Sequence, residues 1–188
     1  LREQAGKLWH CSNLVKIKGQ ETVAKEVVDH SFASNVFFCN SGAEAVEAGI
    51  KAVRKYFYLN KKNKYKIICV NNAFHGRTLG AISAAGQDKL LEGFDPRLDG
   101  FEHVDFNNLE AIEKKIDKQT AAILIETVQG EGGVNPATKE YLLGLKDIAK
   151  KNDLLLFFDE VQCGVGRTGK FLATDWVKNL EPNLVSIA

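Results

Sequence analysis

Apolar and polar positions along this chain follow two periods that take turns. "NVFFCN" (Asn35 to Asn40) is a short apolar run that predicts a buried strand. The segment after it, "SGAEAVEAGIKAVRKYFYL", carries Val46, Ile50, Val53 and Phe57 at helical spacing, with Ser41 placed to cap its start. "YKIICV" (Tyr65 to Val70) predicts a second strand, "NNLEAIEKKI" a helix that opens on Asn, and "TAAILIETV" (Thr120 to Val128) a third strand. "TKEYLLGLKDIAKKN" sets Leu142, Leu145, Ile148 and Ala149 on one helical face; "LLLFFDEV" predicts a fourth strand and "NLVSIA" begins a fifth. Strands that are apolar throughout are buried on both faces. Strands of that kind separated by helices predict an α/β fold, a mainly parallel sheet flanked by helices. Residues 1–34 read as a loop and helix leading into one domain over 35–188.

Composition narrows the class without changing this picture. A chain of 188 residues suits one core, and 45% apolar with 26% charged residues is ordinary for a globular protein. The net charge of +1 gives no field that recruits nucleic acid or an anionic membrane. No apolar run approaches the roughly 18 residues of a membrane span, and the first residues do not resemble a signal peptide. Cys11, Cys39, Cys69 and Cys163 are far apart, matching neither a zinc site nor a dense disulfide framework, so a reducing, cytoplasmic setting is expected. The chain opens without Met and closes on an apolar run, which predicts a piece of a longer polypeptide.

Parallel sheets place ligands at the carboxyl ends of their strands. After the first strand, Ser41, Gly42 and Ala43 open a helix whose exposed N–H groups suit a phosphate, or merely form a cap and turn. After the second, Phe74 and His75 stand beside Gly76 and Arg77: a stacking ring and a fork for a carboxylate, or a core aromatic, a loop histidine and a surface charge. After the third, Glu126 lies late in an apolar strand and Glu131 in a glycine-rich loop, with no GxGxxG or GxxxxGK[ST] spacing. After the fourth come Asp159, Glu160, Val161 and Gln162. A carboxylate ending a doubly buried strand needs a partner, either a ligand cation or a buried Arg or Lys. Adjacent on a strand, Asp159 and Glu160 point to opposite faces and do not easily share a metal ion. Together the four loops suit a phosphate, a flat ring, a protonated ring nitrogen and a carboxylate, as pyridoxal phosphate with an amino acid would present.

The ordered motifs "FFCNSGAEAVEAGIKAVRKY", "NNAFHGRTLGAISAAGQDK", "IETVQGEGGV" and "LLLFFDEVQCGVGRTGKF", with "LWHCSNL" near the start, resemble class-III aminotransferases, and within them the bacterial acetylornithine type. The resemblance runs over essentially the whole chain. It implies part of the large domain of a fold-type I pyridoxal-phosphate transferase, and a homodimer. It further implies that Ser41, Gly42 and Ala43 bind the cofactor phosphate and that Phe74 stacks on its ring beside His75. Asp159 pairs with the ring nitrogen, Val161 packs on the ring, and Gln162 lies near its hydroxyl, with Glu160 counted in the same cofactor shell. Arg77 would hold a substrate carboxylate, Glu131 would lie near the distal end of the substrate, and Glu126 would support the shell. The family usually has Pro where this chain has Thr127. Its Schiff-base lysine follows a strand like "PNLVSIA" and is expected beyond Ala188. Acetylornithine as donor and 2-oxoglutarate as acceptor, in arginine biosynthesis, follow from the same likeness. Ornithine, succinyl-diaminopimelate and 4-aminobutyrate are the alternative donors, and a non-catalytic binding or dimerisation module is the alternative class.

Overall fold

The computed structural model describes residues 1–12 and 14–188; Asn13, within "LWHCSNL", lies outside them. Two compact units divide between Phe38 and Cys39 rather than after residue 34. The first holds α1 (Arg2–Ala5) and α2 (Lys18–Asp29), neither of which buries a residue. A Lys25–Asp29 pair one turn apart braces the end of α2, worth a few tenths of a kcal/mol.

The second unit runs α3 (Gly42–Leu59), β1 (Lys66–Val70), α4 (Leu79–Ala85), α5 (Asp88–Leu91), β2 (Phe101–Val104), α6 (Leu109–Lys115) and β3 (Thr120–Glu126). It continues with β4 (Val128–Gln129), β5 (Asn135–Pro136), α7 (Lys139–Asn152), β6 (Leu155–Asp159), a 3-10 turn (Ala173–Trp176) and β7 (Leu184–Ser186). Five strands form a parallel sheet in the order β2-β1-β3-β6-β7, and β4 with β5 forms a small antiparallel pair.

Period-two alternation divides the strand residues between two cores. Ile68, Val70, Ile123, Ile125, Leu156 and Phe158 pack with Ile112 of α6 and with Tyr141, Leu142, Leu145 and Ile148 of α7. Ile67, Cys69, Ala122, Leu124 and Phe157 pack with Val46, Ile50, Val53 and Phe57 of α3. The sheet is therefore covered on both faces, which is why its strands are apolar throughout. On the α3 face the approach is close: a Cβ added at Gly49 would fall 2.2 Å from Cζ of Phe157.

Caps set the helix starts. The side chains of Ser41, Thr78, Asn108 and Thr138 accept the N–H groups of Glu44, Ala81, Ala111 and Tyr141 at the first turns of α3, α4, α6 and α7.

The run Asn35–Asn40 is not a strand. Phe37 is 72% exposed, and among the described residues no strand pairs with this run. Apolar content without a neighbouring ladder does not satisfy backbone N–H and C=O groups. Conversely, β2 and α4 form without being expected. β2 is four residues long and only Val104 in it is buried; α4 is mostly Gly, Ala and Ser, and its two larger apolar residues, Leu79 and Ile82, are too few to set a helical period.

From β1 the chain passes to β2 on one side, then returns to lay β3 on the other. The strand order thus reverses between β1 and β3, which opens a crevice beyond their carboxyl ends.

Candidate active site

A cavity of about 180 Å³ occupies that crevice, lined by Gly42, Ala43, Phe74, His75, Gly76, Glu126, Asp159, Val161 and Gln162. Four segments far apart in sequence contribute: the start of α3, the loop after β1, the end of β3, and the end of β6 with the turn after it.

Asp159 is the centre of its hydrogen bonding. Oδ2 accepts from Nδ1 of His75 at 2.7 Å; Oδ1 accepts from Oγ of Ser186 at 2.8 Å and from the Val161 N–H at 3.1 Å. Both His75 and Asp159 are almost wholly buried. The sequence left its partner as a ligand cation or a buried Arg or Lys; the partners within the chain are instead an imidazole, a hydroxyl and a backbone amide. A carboxylate offers about four acceptor positions, so three donors leave one for a ligand in the cavity. Asp159 fixes the tautomer of His75: a carboxylate donates nothing, so Nδ1 carries the hydrogen, and Nε2 is buried without a partner.

Ser186 was missed by the sequence. It ends β7 and pairs in register with Asp159. Its signal was a lone polar residue in "LVSIA", visible only once that run is aligned beside β6.

Glu160 corrects an expectation. It does not line the cavity; its carboxylate accepts the N–H groups of Ala173 at 2.6 Å and Thr174 at 2.9 Å, capping the 3-10 turn from within. Burial pushes its carboxyl up, and the amide hydrogen bonds oppose this. The cause of its placement is the strand period: next to Asp159, it turns to the opposite face. Ser41 is likewise absent from the cavity wall. Its Oγ accepts the Glu44 N–H at 3.2 Å, while Glu44 Oε2 accepts the Asn40 N–H at 2.6 Å.

Gly42 and Ala43 do reach the wall, where first-turn N–H groups have no intrahelical acceptor. Their smallness is required. A Cβ on Gly42 would lie 2.6 Å from Val161 Cγ1, and one on Gly76, at φ +115, would lie 2.5 Å from Ala43 Cβ. Phe74 is half-buried on the wall, and the exposed Arg77 places its guanidinium 5.8 Å from the Phe74 ring centroid. Gln162 faces Gly130, whose added Cβ would fall 2.1 Å from Gln162 Oε1. Glu131 is exposed on the turn after β4 and lies outside the cavity wall. Thr127 is buried with its hydroxyl 3.0 Å from Cys163 Sγ.

These residues fit a phosphorylated, nitrogen-bearing flat ring. Asp159 has an unspent acceptor position, the unpartnered Nε2 of His75 belongs to a residue on the same wall, and the helix start bears amides suited to an anion. A parallel sheet with such a site at its switch point defines the large-domain scaffold of a pyridoxal-phosphate transferase. Residues 1–188 match the family model for aminotransferase class-III, and the chain belongs to that family, whose members depend on pyridoxal phosphate.

The relatives include the acetylornithine aminotransferase of Mesorhizobium japonicum, 49% identical over 100% of this chain and 47% of that protein. That of Aquifex aeolicus is 47% identical over 100% of this chain and 50% of its own length. Among solved structures, N-acetylornithine aminotransferase from Stenotrophomonas maltophilia superposes with a TM-score of 0.82 at 37% identity, over 100% of this chain and 46% of that one. The ornithine aminotransferase of Toxoplasma gondii, with pyridoxal phosphate at partial occupancy in its active site, gives a TM-score of 0.90 at 31% identity, over 98% and 44%. This chain spans about half the length of the curated relatives it matches.

Proposed function

We propose that the whole protein moves an amino group from N2-acetylornithine to 2-oxoglutarate with pyridoxal phosphate, as a step of arginine biosynthesis. The observation that carries this reading is Asp159: a buried carboxylate on the cavity wall, held by three donors with one acceptor position left over.

Pyridoxal phosphate supplies an electron sink for the amino acid. This chain's residues bind and orient. The N–H groups of Gly42 and Ala43 receive the phosphate at the positive end of α3. Phe74 gives the ring a face to stack on, with Val161 and Gln162 on the same wall. Asp159 keeps the ring nitrogen protonated, and His75 and Ser186 hold Asp159 in place for that task. Arg77 takes the substrate carboxylate and Glu131 lies toward its distal amide. Among the described residues, those lining the cavity include no lysine, so the amine that carries the cofactor belongs to another part of the protein. A homodimer in the cytoplasm completes the reading.

The test is cofactor binding by the full-length protein, followed by absorbance, with Asp159→Asn beside the wild type. The wild type is expected to bind stoichiometrically and the variant to bind at least about tenfold more weakly, since a charged hydrogen bond is lost. Equal affinities would remove Asp159 from the site. No binding by either protein would favour a non-catalytic module.

A further inference from the structure

Glu126 is a buried carboxylate with no direct task in this reading. It ends β3, is 2% exposed, and lines the same cavity as Asp159. Its register partner in the ladder is Asp159, and residues in register on neighbouring strands share a face. Two carboxylates therefore stand side by side at the switch point. Glu126 Oε2 accepts the Phe74 N–H at 3.0 Å. Phe74 lies on the cavity wall, with the Arg77 guanidinium 5.8 Å from its ring centroid. One hydrogen bond thus ties the loop bearing the aromatic and the arginine to the strand end beside Asp159.

We propose that Glu126 is a positioning residue whose carboxylate sets the Phe74–Arg77 loop against the ring site, acting as the ionised acceptor once the cofactor's cation lies beside Asp159. The inference rests on the pyridoxal-phosphate reading of the cavity. The groups facing Glu126 are His75 from the loop after β1 and Asp159 from β6, with the N–H groups of Phe74 and Gly130. Burial, the largest cause, pushes its carboxyl up to about 7; Asp159 adds to this, while His75 and the two amides oppose it. An ionised acceptor makes a hydrogen bond roughly twice as strong as a neutral one. In the empty site burial outweighs that gain, so ionisation there works against closure of the loop. A cation beside Asp159 reverses the balance, because it favours the ionised form and with it the stronger hydrogen bond.

The experiment uses the full-length protein and pyridoxal phosphate alone, without an amino donor. Dissociation constants are measured for wild type and Glu126→Gln from well below to well above the titration of Glu126. The amide still accepts the Phe74 N–H but carries no charge. The ratio of variant to wild-type Kd is expected to lie near unity at the acid end and to climb to about tenfold at the alkaline end. A ratio flat with pH overturns the inference and leaves the cofactor reading standing; a wild type that binds no cofactor overturns both. If Glu126→Gln does not fold, hydrogen–deuterium exchange of the wild type over the peptide containing Phe74 decides. Adding pyridoxal phosphate is expected to raise protection, corrected for intrinsic exchange, by more above the titration than below it, and an equal rise overturns the inference.

Discussion

Asp159 drew notice because an apolar strand ended on an acid, and the physics of burial demanded a partner. His75, which answers that demand, lies 84 residues away in sequence, and Ser186 lies 27 away. Neither pairing has a local signature, because only the sheet order brings the strand ends together. Glu160, adjacent in sequence, was placed with the cofactor by its motif although the strand period already pointed it elsewhere. Glu126 supplies a residue-scale prediction. Its ordinary value of 4.5 rises to about 7 in the fold, so the folded state favours the protonated form. That contribution is fully present below the unfolded value and is lost as pH rises through the folded one, a loss of about 3 kcal/mol. In cofactor-free full-length protein, Glu126→Gln is therefore expected to melt above the wild type at alkaline pH and to differ least at acid pH. Thermal melts across the range check this, and two curves that fall in parallel contradict it. Ser41→Ala separates two roles for that hydroxyl. If Ser41 is chiefly a cap, the substitution costs about 1 kcal/mol in denaturant unfolding and leaves cofactor affinity within about twofold, less than one ordinary hydrogen bond is worth.

Helices were the most legible elements. The apolar face of α7 and its burial pattern follow directly from the spacing of Leu142, Leu145, Ile148 and Ala149. Strands were legible where both faces are buried, as in β1, β3 and β6. Legibility failed where tertiary context decides. Among the described residues Asn35–Asn40 is apolar yet joins no strand ladder, and α4, five of whose seven residues are Gly, Ala or Ser, has its start marked by the Thr78 cap. The seating of α3 on the sheet depends on one absent side chain, at Gly49. Gly49→Ala must move either the helix or the Phe157 ring, and overpacking of this kind costs about 1–3 kcal/mol. Urea unfolding of the full-length protein should show that loss. An unchanged midpoint would mean that Phe157 turns aside freely.

At the scale of the molecule, the switch point between β1 and β3 explains why chemistry-bearing residues from four segments converge. The sequence indicated the class of sheet, and hence the end at which to look, without giving the strand order. Among the described residues, no helix is long and apolar enough to cross a membrane. This chain, which spans about half the relatives' length, carries the cavity at the switch point, and the proposed donor is a property of the full-length protein. The most direct measurement is therefore kcat/KM of the full-length, cofactor-loaded protein with acetylornithine, ornithine, succinyl-diaminopimelate and 4-aminobutyrate, each against 2-oxoglutarate. Transfer is expected to be strongest for acetylornithine, by about tenfold or more over 4-aminobutyrate, which carries its carboxylate one methylene nearer the transferred amine and lacks the acetamido group. A preference for 4-aminobutyrate, or no transfer from any donor, would contradict it.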